Sequence, residues 1–350
     1  MKWTKTLTSF FLFFLILINH SQGQYENANQ YMEYIGKQNE NLTAIYLSYV
    51  SAVSHGKSAR KVEKRRQEVL NAINDTRFNI QGMPPWKGDR SYRDSTVAYL
   101  KLLNIVFNED YGKILNLEDI AEQSYDAMEA YMLAQQKAQE KMQQAIDQQN
   151  QAEKDFAAKN NINLIENESE LAKKSKIAHE LNKHYDEVYL VFFKAYKQEG
   201  YLMEALANRN INAIEQNKNS MEKFAEEGLQ KLKNIKAFNN DPSMINACRQ
   251  ALVFYKMEAS QIQGMTDYFL KEENFGKLKK NFESKPSSKR TQQDLDQYNR
   301  AVADINDAVN SYNATNKELN KQRSAALDEW NKTVNRFMDD YMPVQKKVSK

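Results

Sequence analysis

Residues 117–156 read LEDIAEQSYDAMEAYMLAQQKAQEKMQQAIDQQNQAEKDF, a stretch of 40 residues without Gly or Pro. Steps of four and three along it select Leu117, Ala121, Ser124, Met128, Tyr131, Gln135, Ala138, Met142, Ala145, Gln149, Ala152 and Phe156. That spacing is the 3.5-residue period of a heptad seam, so it predicts one long helix over 117–159 with a mostly apolar stripe. A chain that devotes so much length to one helix is expected to be built of helices throughout.

A second seam supports that expectation. Tyr298, Val302, Ile305, Val309, Tyr312, Asn316, Leu319, Arg323, Ala326, Trp330, Thr333 and Phe337 each lie 181 residues beyond a member of the first. Upstream, Trp86-Lys-Gly-Asp89 matches Phe238-Asn-Asn-Asp241 at an offset of 152, and Leu100 and Leu103 match Leu252 and Tyr255. The difference between the offsets requires an insertion in the second half, which residues 264–293 supply. The pattern reads as an elongated bundle of long antiparallel helices in two tandemly duplicated halves, with chance periodicity as the alternative. The expected division is a first half over 24–165, a connecting helix over 166–200 and a second half over 201–350, the last containing 264–293.

Composition agrees with an all-α fold. Only 10 Gly and 5 Pro occur in 350 residues, whereas Ala, Gln, Glu, Lys, Met and Leu, the residues helices favour, are abundant. The expected helices are 25–53, 58–79, 91–113, 117–159, 168–199, 202–236, 242–282 and 289–341, with Gly200 and Gly228 as candidate breaks. Asp241-Pro242 reads as an N-cap followed by proline at the first helical position. Ser91 to Asp94 has the outline of a capping box with Asp in place of Glu.

The first 23 residues carry an export signal in three zones. Lys2 and Lys5 precede Leu7–Ile18 (LTSFFLFFLILI), which is too short to span a hydrocarbon core of ~30 Å. Small residues at Ser21 and Gly23 then place cleavage before Gln24. An uncleaved anchor is the alternative. No later segment is long and apolar enough to cross a membrane, no cysteine follows the apolar run for lipid attachment, and the mean hydropathy is −0.79. A soluble exported product is expected, periplasmic or at the cell surface. Without Lys2 and Lys5 the chain holds 47 basic against 46 acidic residues, a near-balance that argues against a dedicated nucleic-acid binder.

The sequence offers little catalytic chemistry. His179 to His184 resembles the zinc-protease motif H-E-x-x-H with one residue too many. A five-residue step sets the two imidazoles about 140° apart around a helix, so they cannot share a metal. Glu180, His184 and Glu187 share a face, but a solvated face is the expected reading. No G-x-S-x-G elbow or Gly-rich phosphate loop occurs. The single cysteine, Cys248, falls on the apolar stripe Met244, Ile245, Leu252, Tyr255 and Ala259 and is expected to be a buried thiol. No cofactor, metal or catalytic residue is assigned, and an enzyme is not expected.

Candidate binding segments fall in three places. Arg60, Lys61, Lys64, Arg65 and Arg66 crowd one helix, interrupted by Glu63 and Glu68, and suit an acidic glycan or lipid headgroup or a plain solvated surface. Trp86 sits in Gly82-Met-Pro-Pro-Trp-Lys-Gly88, a rigid loop that either presents an aromatic to a partner or plugs the end of a helical hairpin. In 264–293, Tyr268, Phe269, Phe275, Leu278 and Phe282 alternate with Lys271, Lys277, Lys279 and Lys280, as in a membrane-surface helix or a segment docked on the bundle.

The signal segment, Met83–Asp89 with Tyr92-Arg93-Asp94, and Gln151–Lys159 at the close of a long helix together resemble an uncharacterised bacterial family of exported helical surface proteins, some of them lipoproteins. The likeness covers mainly 80–160. It implies a helical bundle without an assigned activity and supplies no catalytic residues, and the missing lipidation cysteine is a departure from the lipoprotein members. The expectation is a non-enzymatic exported cell-envelope protein that binds a protein or envelope polymer through helical faces. The alternatives are a small-ligand or metal carrier with a pocket between helices, and an envelope-polymer hydrolase.

Overall fold

Polar side chains start most of the helices by accepting a hydrogen bond from a backbone N–H in the first turn. Asn27 accepts from Gln30, Ser124 from Ala127, Ser169 from Ala172 and Asn210 from Ala213. Thr291 and Asp294 form a complete capping box. The computed structural model describes residues 25–164 and 169–343, without the side chains of Ala59, Leu115, Asn116, Glu118 and Asp119. The expected export signal over 1–23 and its cleavage point before Gln24 lie outside the described residues.

Among the described residues every regular element is helical. The order is α1 (Ala28–Ser54), α2 (Ala59–Gln81), α3 (Ser91–Ile105), a π-turn (Val106–Asp110), α4 (Tyr111–Ala121), α5 (Tyr125–Lys159), α6 (Glu170–Ala207), α7 (Ile211–Lys231), α8 (Ser243–Ser284), a short 3₁₀ turn (Ser287–Lys289) and α9 (Gln292–Tyr341). The all-α expectation therefore holds. No described helix is long and apolar enough to cross a membrane.

Several boundaries differ from those expected. The helix predicted over 117–159 is two helices, because Ser124 leaves the seam and caps α5 in extended backbone (φ −153°, ψ 163°). The rod before it instead runs from Ser91 to Ala121 through the π-turn. Gly200 does not break a helix: α6 continues through it to Ala207, so the boundary drawn between 200 and 201 falls inside a helix. A mid-helix glycine costs only about 1 kcal/mol, which the burial of Leu202, Ala205 and Leu206 on the same helix outweighs. The actual break is Asn208–Asn210, where Arg209 takes φ +52°.

At the two aromatic turns the caps lie one or two residues away from where they were expected. Ser91 is the first residue of α3, and Asp89 Oδ1 accepts its N–H at 2.8 Å, so the Ser91–Asp94 capping box does not form. Asp241 Oδ1 accepts from Ser243 N at 2.8 Å, with Pro242 in the cap position ahead of α8.

Neighbouring helices pack as hairpins: α1 on α2, α6 on α7, α8 on α9, and the α3–α4 rod on α5. Helix α6 joins the two sets by lying against α1 and α5. Ser54 donates to Asn182 Oδ1 at 2.9 Å and the Tyr201 hydroxyl donates to the Gln123 carbonyl at 3.0 Å across this junction. One contiguous cluster of buried apolar side chains extends from Tyr31 to Met342.

Candidate functional site

The loop after α2 and the loop after α7 have the same local structure. Trp86 and Asp89 form an isolated antiparallel bridge, and so do Phe238 and Asp241. The two residues between them have positive φ in both turns: Lys87 (47°) and Gly88 (87°), Asn239 (48°) and Asn240 (62°). Gly and Asn are the residues that tolerate that conformation best. A fixed turn of this kind holds its aromatic side chain over the end of a helical hairpin.

Trp86 is half-buried beside Tyr31. Its ring centroid lies 5.8 Å from Tyr31, which stacks on Phe156 at 5.6 Å. Its indole N–H donates to Asn160 Oδ1 at 2.8 Å. Trp86 thus plugs the bundle, with its polar atom committed inside the protein. Phe238 does the same in the second turn, packed on His184, Phe337 and Tyr341 with centroids 6.0, 6.0 and 5.4 Å away.

The basic cluster on α2 is divided in its roles. Arg66 pairs with Glu63 at 2.8 Å and donates to the Phe107 carbonyl at 2.7 Å, which ties α2 to the π-turn. Arg65 pairs with Glu68 at 2.6 Å. Arg60, Lys61 and Lys64 are exposed and have no ion-pair partner among the described residues. Three free cations on one solvated face remain from the five expected.

The two histidines point to different faces, as the helical spacing requires. His179 is exposed on α6, whereas His184 is buried and its Nε2 has no hydrogen-bond partner among the described residues. Burial lowers the pKa of His184 and favours the neutral ring. No group of three or more metal-binding side chains occurs among the described residues. Cys248 is fully buried, its thiol directed at the Val188 carbonyl 3.9 Å away, and burial pushes its pKa well up.

The strongest electrostatic feature joins α6, α8 and α9. Arg323 of α9 contacts both Glu199 of α6 and Glu258 of α8. Glu258 is completely buried and Glu199 is 5 % exposed. One guanidinium faces two carboxylates, and Glu258 Oε2 has no hydrogen-bond partner. Burial, reinforced by the charge of Glu199 and opposed by Arg323, raises the Glu258 pKa from 4.5 to about 7. Burial also raises that of Glu199. Arg323 is recognisable in sequence as a charged residue in an apolar seam. Glu199 and Glu258 are hidden there, because acidic residues beside an apolar stripe usually face water.

A cleft of about 290 Å³ opens where α5 starts, against α6 and α7. Tyr125, Leu190, Val191, Phe224 and Ile235 supply apolar walls. Lys194 reaches across them, 4.2 Å from the Phe224 ring centroid and 3.3 Å from Glu227. Comparison with protein-family models, with curated proteins and with solved structures finds no match to this chain.

Proposed function

We propose that the chain is a non-enzymatic protein exported to the cell envelope, periplasmic or at the cell surface, where its helical faces bind a protein or envelope polymer. The observation that carries this reading is the α8–α9 hairpin. It runs on past Glu272, which pairs with Arg209 of the α6–α7 loop, and so exposes two helices on nearly every side. The groups with the most chemical potential are instead committed to packing: Cys248 is buried, His184 lies among rings and Trp86 is bonded to Asn160. The three-zone segment at 1–23 and the resemblance of 80–160 to exported helical surface proteins support an envelope location. The paired aromatic turns, with the matching offsets of their flanking helices, support descent of the two halves from a tandem duplication.

Fractionation of host cells with N-terminal sequencing tests the location. A mature chain beginning at Gln24 in the envelope or the medium is expected, and a full-length cytoplasmic chain refutes it. For the binding role, immobilised protein should retain a defined envelope component, whereas a protein that retains none and turns over a substrate refutes the assignment.

The cleft beside Lys194 favours a second reading, a carrier of a small amphipathic molecule. Native mass spectrometry of protein purified from its host separates the two, since a bound small molecule supports only the carrier.

A further inference from the structure

The hairpin arm has a second property, a concentration of positive charge at its tip. Between residues 277 and 290 stand Lys277, Lys279, Lys280, Lys285, Lys289 and Arg290 against Glu283 alone. The rest of the chain after residue 23 is net acidic, given the overall balance of 47 basic to 46 acidic residues. Three of the six are paired: Lys277 with Glu273 at 2.6 Å, Lys279 with Glu283 at 4.0 Å and Lys285 with Asp294 at 2.5 Å. Lys280 and Lys289 are exposed and, like Arg290, lack a carboxylate partner among the described residues.

The arm is not needed to close its half of the fold. In the first half the corresponding hairpin turns at Glu122–Ser124, directly beyond the packed core. In the second it continues for 12 more residues of α8 past Glu272, about 18 Å at helical rise. The aromatic residues of the extension are spent inside it. Phe282 stacks on Tyr298 with centroids 4.3 Å apart, Phe275 lies 6.1 Å from the same ring, and Tyr268 lies 4.7 Å from Tyr312. They are therefore not a face for insertion into a membrane, and the segment docks on α9 rather than on the body of the bundle.

The tip is stiff. Arg290 lies over the Phe282 ring at 4.4 Å and donates to the Lys285 carbonyl at 3.0 Å, and the capping box at Thr291 fixes the start of α9. The turn itself, Pro286-Ser287-Ser288, offers only small residues. A capped hairpin end that carries unpaired cations and offers no apolar wedge fits a flat anionic sheet. An extended polyanion would instead need a groove or a stripe of charge along its length.

We propose that the tip of the α8–α9 arm is an electrostatic contact for an anionic lipid surface, with Lys280, Lys289 and Arg290 as the principal binding residues. This deepens the envelope reading by naming a partner for the arm. Each cation near such a surface contributes a few-fold to binding, so three together are worth about a hundredfold. Because the contact lacks insertion, it weakens as the screening length shrinks with added salt.

The test is co-sedimentation of the full chain with vesicles of zwitterionic lipid and with vesicles containing about 30 % anionic lipid, at about 0.1 M and about 0.5 M salt. The readout is the difference between the two vesicle types, because the apolar run at 7–18 is common to every sample. The expected result is a preference for anionic vesicles that falls about a hundredfold in Lys280→Gln/Lys289→Gln/Arg290→Gln and is mostly lost at the higher salt. Lys280→Gln/Lys289→Gln, at two exposed positions outside the packing, should remove most of the preference with unchanged circular dichroism. No preference in the parent chain, a preference unchanged by the substitutions, or retention on soluble polyglutamate without vesicle binding overturns the proposal. None of these outcomes depends on cell fractionation, so the contact and the envelope location fail separately.

Discussion

Glu258→Gln should stabilise the protein in mild alkali and do little in mild acid. The substitution keeps the shape of a completely buried side chain and removes its charge. In the parent, Glu258 shares the one guanidinium of Arg323 with Glu199, so when all three ionise one negative charge is uncompensated in the interior. The folded state holds the Glu258 proton up to about pH 7, whereas the unfolded chain releases it near the ordinary value of 4.5. Between those values the native protein binds more protons than the unfolded chain. The stability contributed by this group is therefore fully present below pH 4.5, declines as pH rises towards 7 and stays lost above it. The gap corresponds to about 3 kcal/mol.

Glu258→Gln removes that decline. Urea unfolding at about pH 5 and about pH 8 should show the variant gaining about 2 kcal/mol on the parent at the higher pH and less than about 1 kcal/mol at the lower. The comparison is made at each pH because other groups titrate in the same window, Asp186 among them, which burial raises to about 7. Arg323→Met should behave in the opposite sense. It strands two buried carboxylates and costs about 3–5 kcal/mol near pH 8, much of it recovered near pH 5. A Glu258→Gln variant destabilised equally at both pH values would refute the reasoning, since it would mean that Glu258 is ionised and well paired throughout.

Gly200→Ala and Gly228→Ala should act in opposite directions. A Cβ at Gly200 meets nothing within 4 Å, so helix propensity stabilises by about 1 kcal/mol, while one at Gly228 falls 2.8 Å from Leu252 Cδ1 and 3.0 Å from Val191 Cγ1, a net loss of about 1–2 kcal/mol. Thermal unfolding of the two variants separates them. The Cys248 thiol should be inert to a thiol reagent in the folded protein and react on denaturation, and rapid labelling of the native chain would contradict its burial. Trp86→Phe should lose about 1 kcal/mol with the Asn160 hydrogen bond, since Phe238 fills the equivalent place, whereas Trp86→Ala should lose about 3 kcal/mol, both measured by urea unfolding.

Helix content and most of the seam were legible because they rest on long-range periodicity. Met128, Ala138, Met142, Ala145, Gln149 and Phe156 are buried on the face their spacing assigned. Local interruptions were harder to read. Ser124 falls on the heptad position between Ala121 and Met128, and nothing in the spacing tells a polar seam residue from a cap. The π-turn over Val106–Asp110 has no Gly or Pro to mark it. The acidic partners of Arg323 were invisible because they come from α6 and α8, which the fold alone brings together. At Gly200 the residue type alone suggests a break, whereas the burial of Leu202, Ala205 and Leu206, which only the fold reveals, keeps α6 continuous.

Under the proposed tandem duplication, the offsets of 152 and 181 pair positions whose contents can be compared. At the turns the demand is for bulk. Trp86 and Phe238 correspond, as do Phe156 and Phe337, and an imidazole in His184 stands where the first half has the ring of Tyr31. In the middle of the bundle the demand is for volume without a fixed polarity. Gln149 Nε2 donates to Thr96 Oγ1 at 2.8 Å in the first half, and the positions displaced by 181 and 152 hold Trp330 and Cys248. Conversely, Val106 and Met142, both buried and apolar, correspond to Glu258 and Arg323. A buried ion pair often contributes no more to stability than well-packed apolar residues of similar size. The charged contact among α6, α8 and α9 is therefore a feature the second half can be expected to do without as a means of folding. Its physical effect is to make the register of α9 depend on charge, because sliding that helix would carry Arg323 away from both carboxylates. That constraint falls on the two helices from which the arm is built, and the first half, which has no arm, lacks it.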